Sequence, residues 1–75
     1  MTEEEEKFLR VFGERTRQLR KKAGYSSQDQ FAYDAEIPRA QYARYEKGVN
    51  ITLLSLRKIL KFHNITLSEF FKGIE

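Results

Sequence analysis

Apolar residues along the 75-residue chain recur at helical rather than alternating intervals. Phe8, Phe12, Thr16, Leu19 and Ala23 share one face, widened by Val11, and predict a first helix from about Glu3 to Lys22. Thr2 and Glu5 stand at capping-box spacing, Glu3 to Glu6 suit the positive end of the helix dipole, and Gly24 suits its C-cap. A second helix, about Gln28 to Ala35, buries Phe31, Ala32 and Ala35. Two residues compete to start it, since Ser26 pairs at box distance with Asp29 and Ser27 with Gln30. Glu36 and Ile37 make a turn, and Pro38 fits the first turn of a third helix running to about Lys47. Ile37, Tyr42 and Tyr45 face inward there, and Gly48 ends the helix. Thr52 caps a fourth helix, about Leu53 to His63, striped by Leu53, Leu56, Ile59 and Leu60. Thr66 with Glu69 and Ile65 with Phe70 supply a capping box and a hydrophobic staple for a fifth, about Leu67 to Lys72, stopped at Gly73.

No segment alternates as a strand would, and every connection is short. The expected architecture is all-α, a compact five-helix bundle, with residues 1–75 as a single domain without repeats or a linker. That length allows one modest core, and the absence of cysteine removes disulfides and thiolate metal sites as sources of stability. No apolar run approaches a membrane span, and the acidic start differs from a signal peptide, so the expected compartment is the cytoplasm.

Charge changes the picture through its distribution. The net charge is only +3, yet residues 10–63 hold twelve Lys or Arg against five Asp or Glu, while Glu3 to Glu6 offset them at one end. A concentrated positive surface attracts a polyanion. Ordinary solvated helix faces explain such a count equally well, so the placement of individual residues has to decide.

The second and third helices meet across a short turn and need the other three as a scaffold. With Ile37, Tyr42 and Tyr45 inward, Arg39, Ala40, Gln41, Arg44 and Lys47 face solvent. Arginine can donate two bonds to guanine, glutamine can pair with adenine, and an alanine methyl can meet thymine, so Arg39, Ala40, Gln41 and Arg44 are the candidate base readers. Gln41 suits either a base or a phosphate. Gln28 stands where the start of a helix favours an anion, Lys47 and Asn50 follow the third helix, and Arg20, Lys21 and Lys22 lie where they could flank a duplex; these six are the candidate phosphate contacts. Arg57, Lys58 and Lys61 are expected to solvate the outer face of the fourth helix. His63 has no clustered ligand partner, so no metal or other cofactor is expected, and a solvent-facing or C-terminal helix histidine is the simpler reading. No nucleophile–base pair or phosphate-binding loop points to an enzyme. Helical spacing places Tyr42 and Tyr45 in the core rather than on a base-stacking platform.

The chain resembles the XRE (Cro and lambda-type repressor) family of helix-turn-helix transcriptional regulators. The resemblance runs from Phe12 to Phe71 through Phe12-Gly13-Glu14-Arg15, Leu19 to Gly24, Ser27 to Ala32, Ile37, Arg39, Tyr42, Arg44 to Gly48, Thr52-Leu53 and Ile65 to Phe71. It implies a lambda-repressor-like fold with residues 38–47 as the recognition helix in the major groove of a double-stranded, palindromic operator. It also implies backbone or flanking-base contact by Gln28, base reading by Arg39, Ala40 and Arg44, a position near the backbone for Gln41, and structural roles for Glu46 and Gly48. The implied assembly is a homodimer, or a module fused or paired with another partner. Three departures stand out: an extra residue in Tyr25-Ser26-Ser27, Glu36 in place of the usual turn glycine, and Pro38 in place of a serine or threonine cap.

The rival reading is a protein-interaction module, such as an antitoxin or accessory subunit, that keeps the fold with weak or non-specific DNA binding. Phe70, Phe71 and Ile74 either pack into the bundle or form a two-fold interface.

Overall fold

The computed structural model describes residues 1–74; Glu75, the last residue of the expected domain, lies outside them. Five helices follow in order: α1 (Glu3–Lys22), α2 (Gln28–Asp34), α3 (Arg39–Lys47), α4 (Leu53–His63) and α5 (Leu67–Phe71), with no strand among the described residues. This is the all-α five-helix bundle that the spacing predicts. No helix among these residues is long and apolar enough to cross a membrane.

Side-chain caps set most of the helix starts. Thr2 with Glu5 and Thr66 with Glu69 form reciprocal capping boxes, and the Thr52 hydroxyl accepts from the Ser55 amide. Of the two serines before α2, Ser27 is the cap: its hydroxyl accepts from the Gln30 amide at 3.2 Å. Pro38 lies just outside α3, at φ −54° and ψ 130°, and supplies no side-chain cap, so that helix begins at Arg39.

Glu36 occupies the left-handed region at φ 58°. Its amide donates to the Tyr33 carbonyl, and the Ile37 amide reaches back to the Ala32 carbonyl at 2.9 Å, closing a Schellman motif. A side chain at that site costs about 1 kcal/mol relative to glycine. The motif nevertheless forms, because Ile37 is thereby driven into the core.

The buried face of α1 differs from the expected stripe. Phe12, Gly13, Thr16 and Arg20 are buried, whereas Phe8 and Val11 remain 38% and 39% exposed and Ala23 is exposed. The reason is a close crossing by α3. A methyl group built on Gly13 would stand 2.6 Å from the Glu46 carbonyl oxygen, and one on Gly48 would stand 2.7 Å from the Leu9 carbonyl oxygen. Two glycines therefore let the backbones of α1 and the end of α3 touch. Gly48 also takes φ 97°, which glycine adopts without strain.

Two apolar clusters fill the interior. Phe31, Ala32, Ile37, Tyr42, Tyr45 and Ile59 unite α2, α3 and α4, while Phe12, Leu56, Leu60 and Phe70 unite α1, α4 and α5. Ile51 packs against both. Phe71 and Ile74 pack against the second cluster, so the C-terminal aromatics belong to the bundle. Arg15 secures that end by donating to the carbonyls of Phe70 (2.6 Å) and Lys72 (3.2 Å), two acceptors that the end of α5 would otherwise leave open.

On α4 one expectation fails and another is narrowed. Leu53 lies outside the core: it and Leu54 are 75% and 73% exposed, because none of the described residues packs over the helix's first turn. Of the two readings of His63, the helix-end one holds: it is the last residue of α4, and it is partly buried rather than solvent-facing. Its ring stacks on Phe31 with centroids 5.2 Å apart, its Nε2 is buried without a partner, and burial lowers its pKa from the usual 6.5.

Candidate nucleic-acid interface

Helix α3 divides cleanly into two faces. Tyr42, Tyr45 and Glu46 are buried, whereas Arg39, Ala40, Arg44 and Lys47 are exposed and Gln41 is half-buried. Ala40, Gln41 and Arg44 line a shallow depression together with Val49 and Asn50 from the loop after the helix. Folding thus brings Asn50 beside three of the four candidate base readers. Gln41 is held in place by its own helix, its amide donating to the Tyr45 hydroxyl.

Arg39, the first residue of α3, sits a little apart. Its Nη1 lies 3.4 Å from Asp29 Oδ2 across the turn, an exposed ion pair between α2 and α3. With Ser27, Tyr33 and Ile37, these two line a second depression. Tyr33 is exposed on α2, and neither it nor Asp29 stands out by periodicity alone.

The candidate phosphate contacts separate into two groups. Lys21 and Lys22 are exposed at the end of α1, and Lys21 lines a small depression with Gly24, Tyr25 and Ser26 at the entry to α2. Lys47 and Asn50 are exposed beyond the outward face of α3.

Arg20 requires a correction. It is only 4% exposed, and each of its three guanidinium nitrogens donates a bond inside the protein. Nε donates to Glu46 Oε2 at 2.7 Å, Nη2 to Glu46 Oε1 at 3.2 Å, and Nη1 to the Tyr25 carbonyl at 2.7 Å. The helical spacing that carries Phe12 and Thr16 inward carries Arg20 inward as well. A buried guanidinium must be paired, and Glu46 is its partner.

Gln28 belongs to the same network. Its Nε2 donates to Glu46 Oε1 at 2.8 Å, so one carboxylate ties α1, the start of α2 and the end of α3 together. Burial is the largest single influence on the Glu46 carboxyl and pushes its pKa up. The bonds from Arg20 and Gln28, with Tyr42 close by, outweigh burial and hold it below its usual range. Arg20 is raised in return, first by its bond to Glu46. The Tyr42 hydroxyl is buried beside the pair without a well-formed hydrogen bond, and burial pushes its ionisation upward. Because Glu46 can only accept, Gln28 must turn its NH2 inward and its carbonyl outward; its second N–H remains for a neighbour.

Among the described residues no cluster of His, Asp or Glu could hold a metal ion. The arrangement presents an outward helix face of basic, amide and methyl groups, fixed from behind by a buried polar network. Its chemistry is that of recognition.

A family model described as helix-turn-helix matches residues 17–70, spanning α2 and α3 and most of their scaffold. The chain is 40% identical over 65 residues to the control protein C.MunI of Mycoplasma sp., covering 85% of this chain and 88% of that protein. No solved structure matches.

Proposed function

The chain belongs to the helix-turn-helix family of sequence-specific, DNA-binding transcriptional regulators, and we propose that it binds as a homodimer to a palindromic operator, with α3 in the major groove. It is a regulator rather than an enzyme. The observation that carries the detailed reading is the outward face of α3: Arg39, Ala40 and Arg44 are exposed, leaving the core to Tyr42 and Tyr45. In this reading Arg39 and Arg44 donate to guanine, the Ala40 methyl meets thymine, and Gln41 reads an adjacent edge within the limits set by Tyr45. Lys47, Asn50, Lys21 and Lys22 hold phosphates, and Gln28 adds one donor from its NH2 group. Arg20 is excluded from that list, since it serves the protein interior.

Dimer formation needs a surface, and α4 supports one. Leu53 and Leu54 are exposed with Leu67 at the start of α5, around a groove also lined by Ile65. An isologous contact there would pair this apolar patch with itself. One 75-residue module covers little DNA, so two half-sites give the area that tight and selective binding requires. We assign the whole of residues 1–75 to one DNA-binding domain working in the cytoplasm, in a control role like that named for its Mycoplasma relative.

Selection from randomised duplex DNA tests this reading. Enrichment of a palindrome supports base reading and dimeric binding together. No enrichment, with weak binding to all duplexes, would instead favour a protein-interaction module.

A further inference from the structure

Asp29 places a negative charge beside a surface proposed to meet a polyanion. The carboxylate lies 3.4 Å from Arg39, and the side chains are 65% and 76% exposed, so the pair adds little to folding. It engages one nitrogen of Arg39 only. A guanidinium has five N–H donors, which leaves its remaining edge open to a second acceptor. Arg39 is also poorly provided for within its own helix. It begins α3, whose first turn holds no acidic residue and whose N-cap, Pro38, makes no side-chain bond. A cation at the positive end of a helix is disfavoured, and the compensating charge comes from α2.

Resting on the reading of Arg39 as a base contact, we infer that Asp29 is the positioning residue that makes Arg39 selective. It braces Nη1 so that the other edge of the guanidinium faces a guanine. On the operator the guanidinium then bridges Asp29 and the base, and the carboxylate stays neutralised. On other sequences the open edge meets no guanine, and an Arg39 that turns to a phosphate leaves Asp29 unpaired near the DNA backbone. Asp29 therefore weakens binding to every duplex but weakens it most where guanine is absent, and discrimination is a difference of affinities.

The test uses the full chain, its selected operator, a copy changed at the base pair read by Arg39, and an unrelated duplex. Asp29→Asn should tighten binding to the unrelated duplex by about 3- to 10-fold and steepen its log-affinity slope against log salt by about 0.9, the value of one added phosphate contact. Preference at the Arg39 base pair should shrink by about tenfold, the size of one modest contact term. Asp29→Glu should restore most of that preference, and an unchanged melting temperature should show that folding is not involved. In an Arg39→Ala background, Asp29→Asn should leave base preference unmoved. If Arg39→Ala relaxes one position while Asp29→Asn leaves the preference intact, or if Asp29→Asn acts equally without Arg39, the inference is overturned and the reading of Arg39 stands. If Arg39→Ala relaxes no position, both fall.

Discussion

Among the described residues two arginine–carboxylate pairs connect different helices, and the same chemistry has opposite consequences in them. Arg20 and Glu46 are buried, joined by two bonds of 2.7 and 3.2 Å, and supported by Gln28 and the Tyr25 carbonyl. Arg39 and Asp29 are exposed and joined by one contact of 3.4 Å. Water decides the difference. A buried charge without its partner is strongly penalised, so the first pair cannot be broken cheaply. The second is solvated with or without its partner, so it adds little to folding and leaves the other edge of the guanidinium open to a second acceptor. The inner pair holds α1, α2 and α3 in one arrangement, while the outer pair is available for binding.

The most drastic way to break this contrast is Glu46→Ala. Stranding Arg20 in the interior should cost about 3–5 kcal/mol in denaturant unfolding. Gly13→Ala should come next. Alanine is the better helix former by about 1 kcal/mol, yet its methyl would collide with the α3 backbone, and a net loss of about 1–3 kcal/mol is expected in the same measurement. Stabilisation by Gly13→Ala would show that the crossing of α1 and α3 relaxes easily.

On the outer face the effects should appear in binding. Arg44→Ala should cost about 1–3 kcal/mol on the operator and relax preference at one position per half-site, as read by competition with single-base variants. Lys47→Ala should weaken all duplexes alike and lower the salt slope by about 0.9.

Acid should sharpen the comparison further. The folded pKa of Glu46 is depressed, so its contribution is complete above its usual 4.5 and is lost as pH falls through the lower folded value. His63 behaves in the same sense at higher pH: burial favours its neutral form, so stability is full above 6.5 and declines as pH falls toward its depressed folded value. Unfolding measured from pH 7.5 downward should show the His63 loss first, and His63→Gln should remove that step. The smallest effect belongs to the outer pair. Asp29→Asn should change folding stability by no more than about 0.5 kcal/mol, even if it alters selectivity.

The sequence was most informative where a residue's role depends on its neighbours along the chain. Thr2, Thr52 and Thr66 cap the helices as their spacing predicts, and the outward set on α3 follows from the inward positions of Tyr42 and Tyr45. It was least informative where two distant segments meet. Arg20 lies among other basic residues and looks like part of a charged helix end. Helical spacing puts it on the face of Phe12 and Thr16, but only Glu46, 26 residues later, supplies the partner that lets a charge stay there. Leu53 fits a helical stripe, but no element covers it. A glycine inside a strong helical pattern hints at close packing, as Gly13 does, without saying what packs there.

What the sequence determined by itself was the number and type of the helices, their bounds to within a residue, and the face of α3 left without an apolar duty. Periodicity and capping are local properties, carried by residues three or four positions apart. Tertiary structure decided which charges are internal and which are free, because burial depends on what another helix brings across. It placed Arg20 and Gln28 on one carboxylate, set Asn50 beside Ala40 and Arg44, and paired Arg39 with Asp29 across the turn.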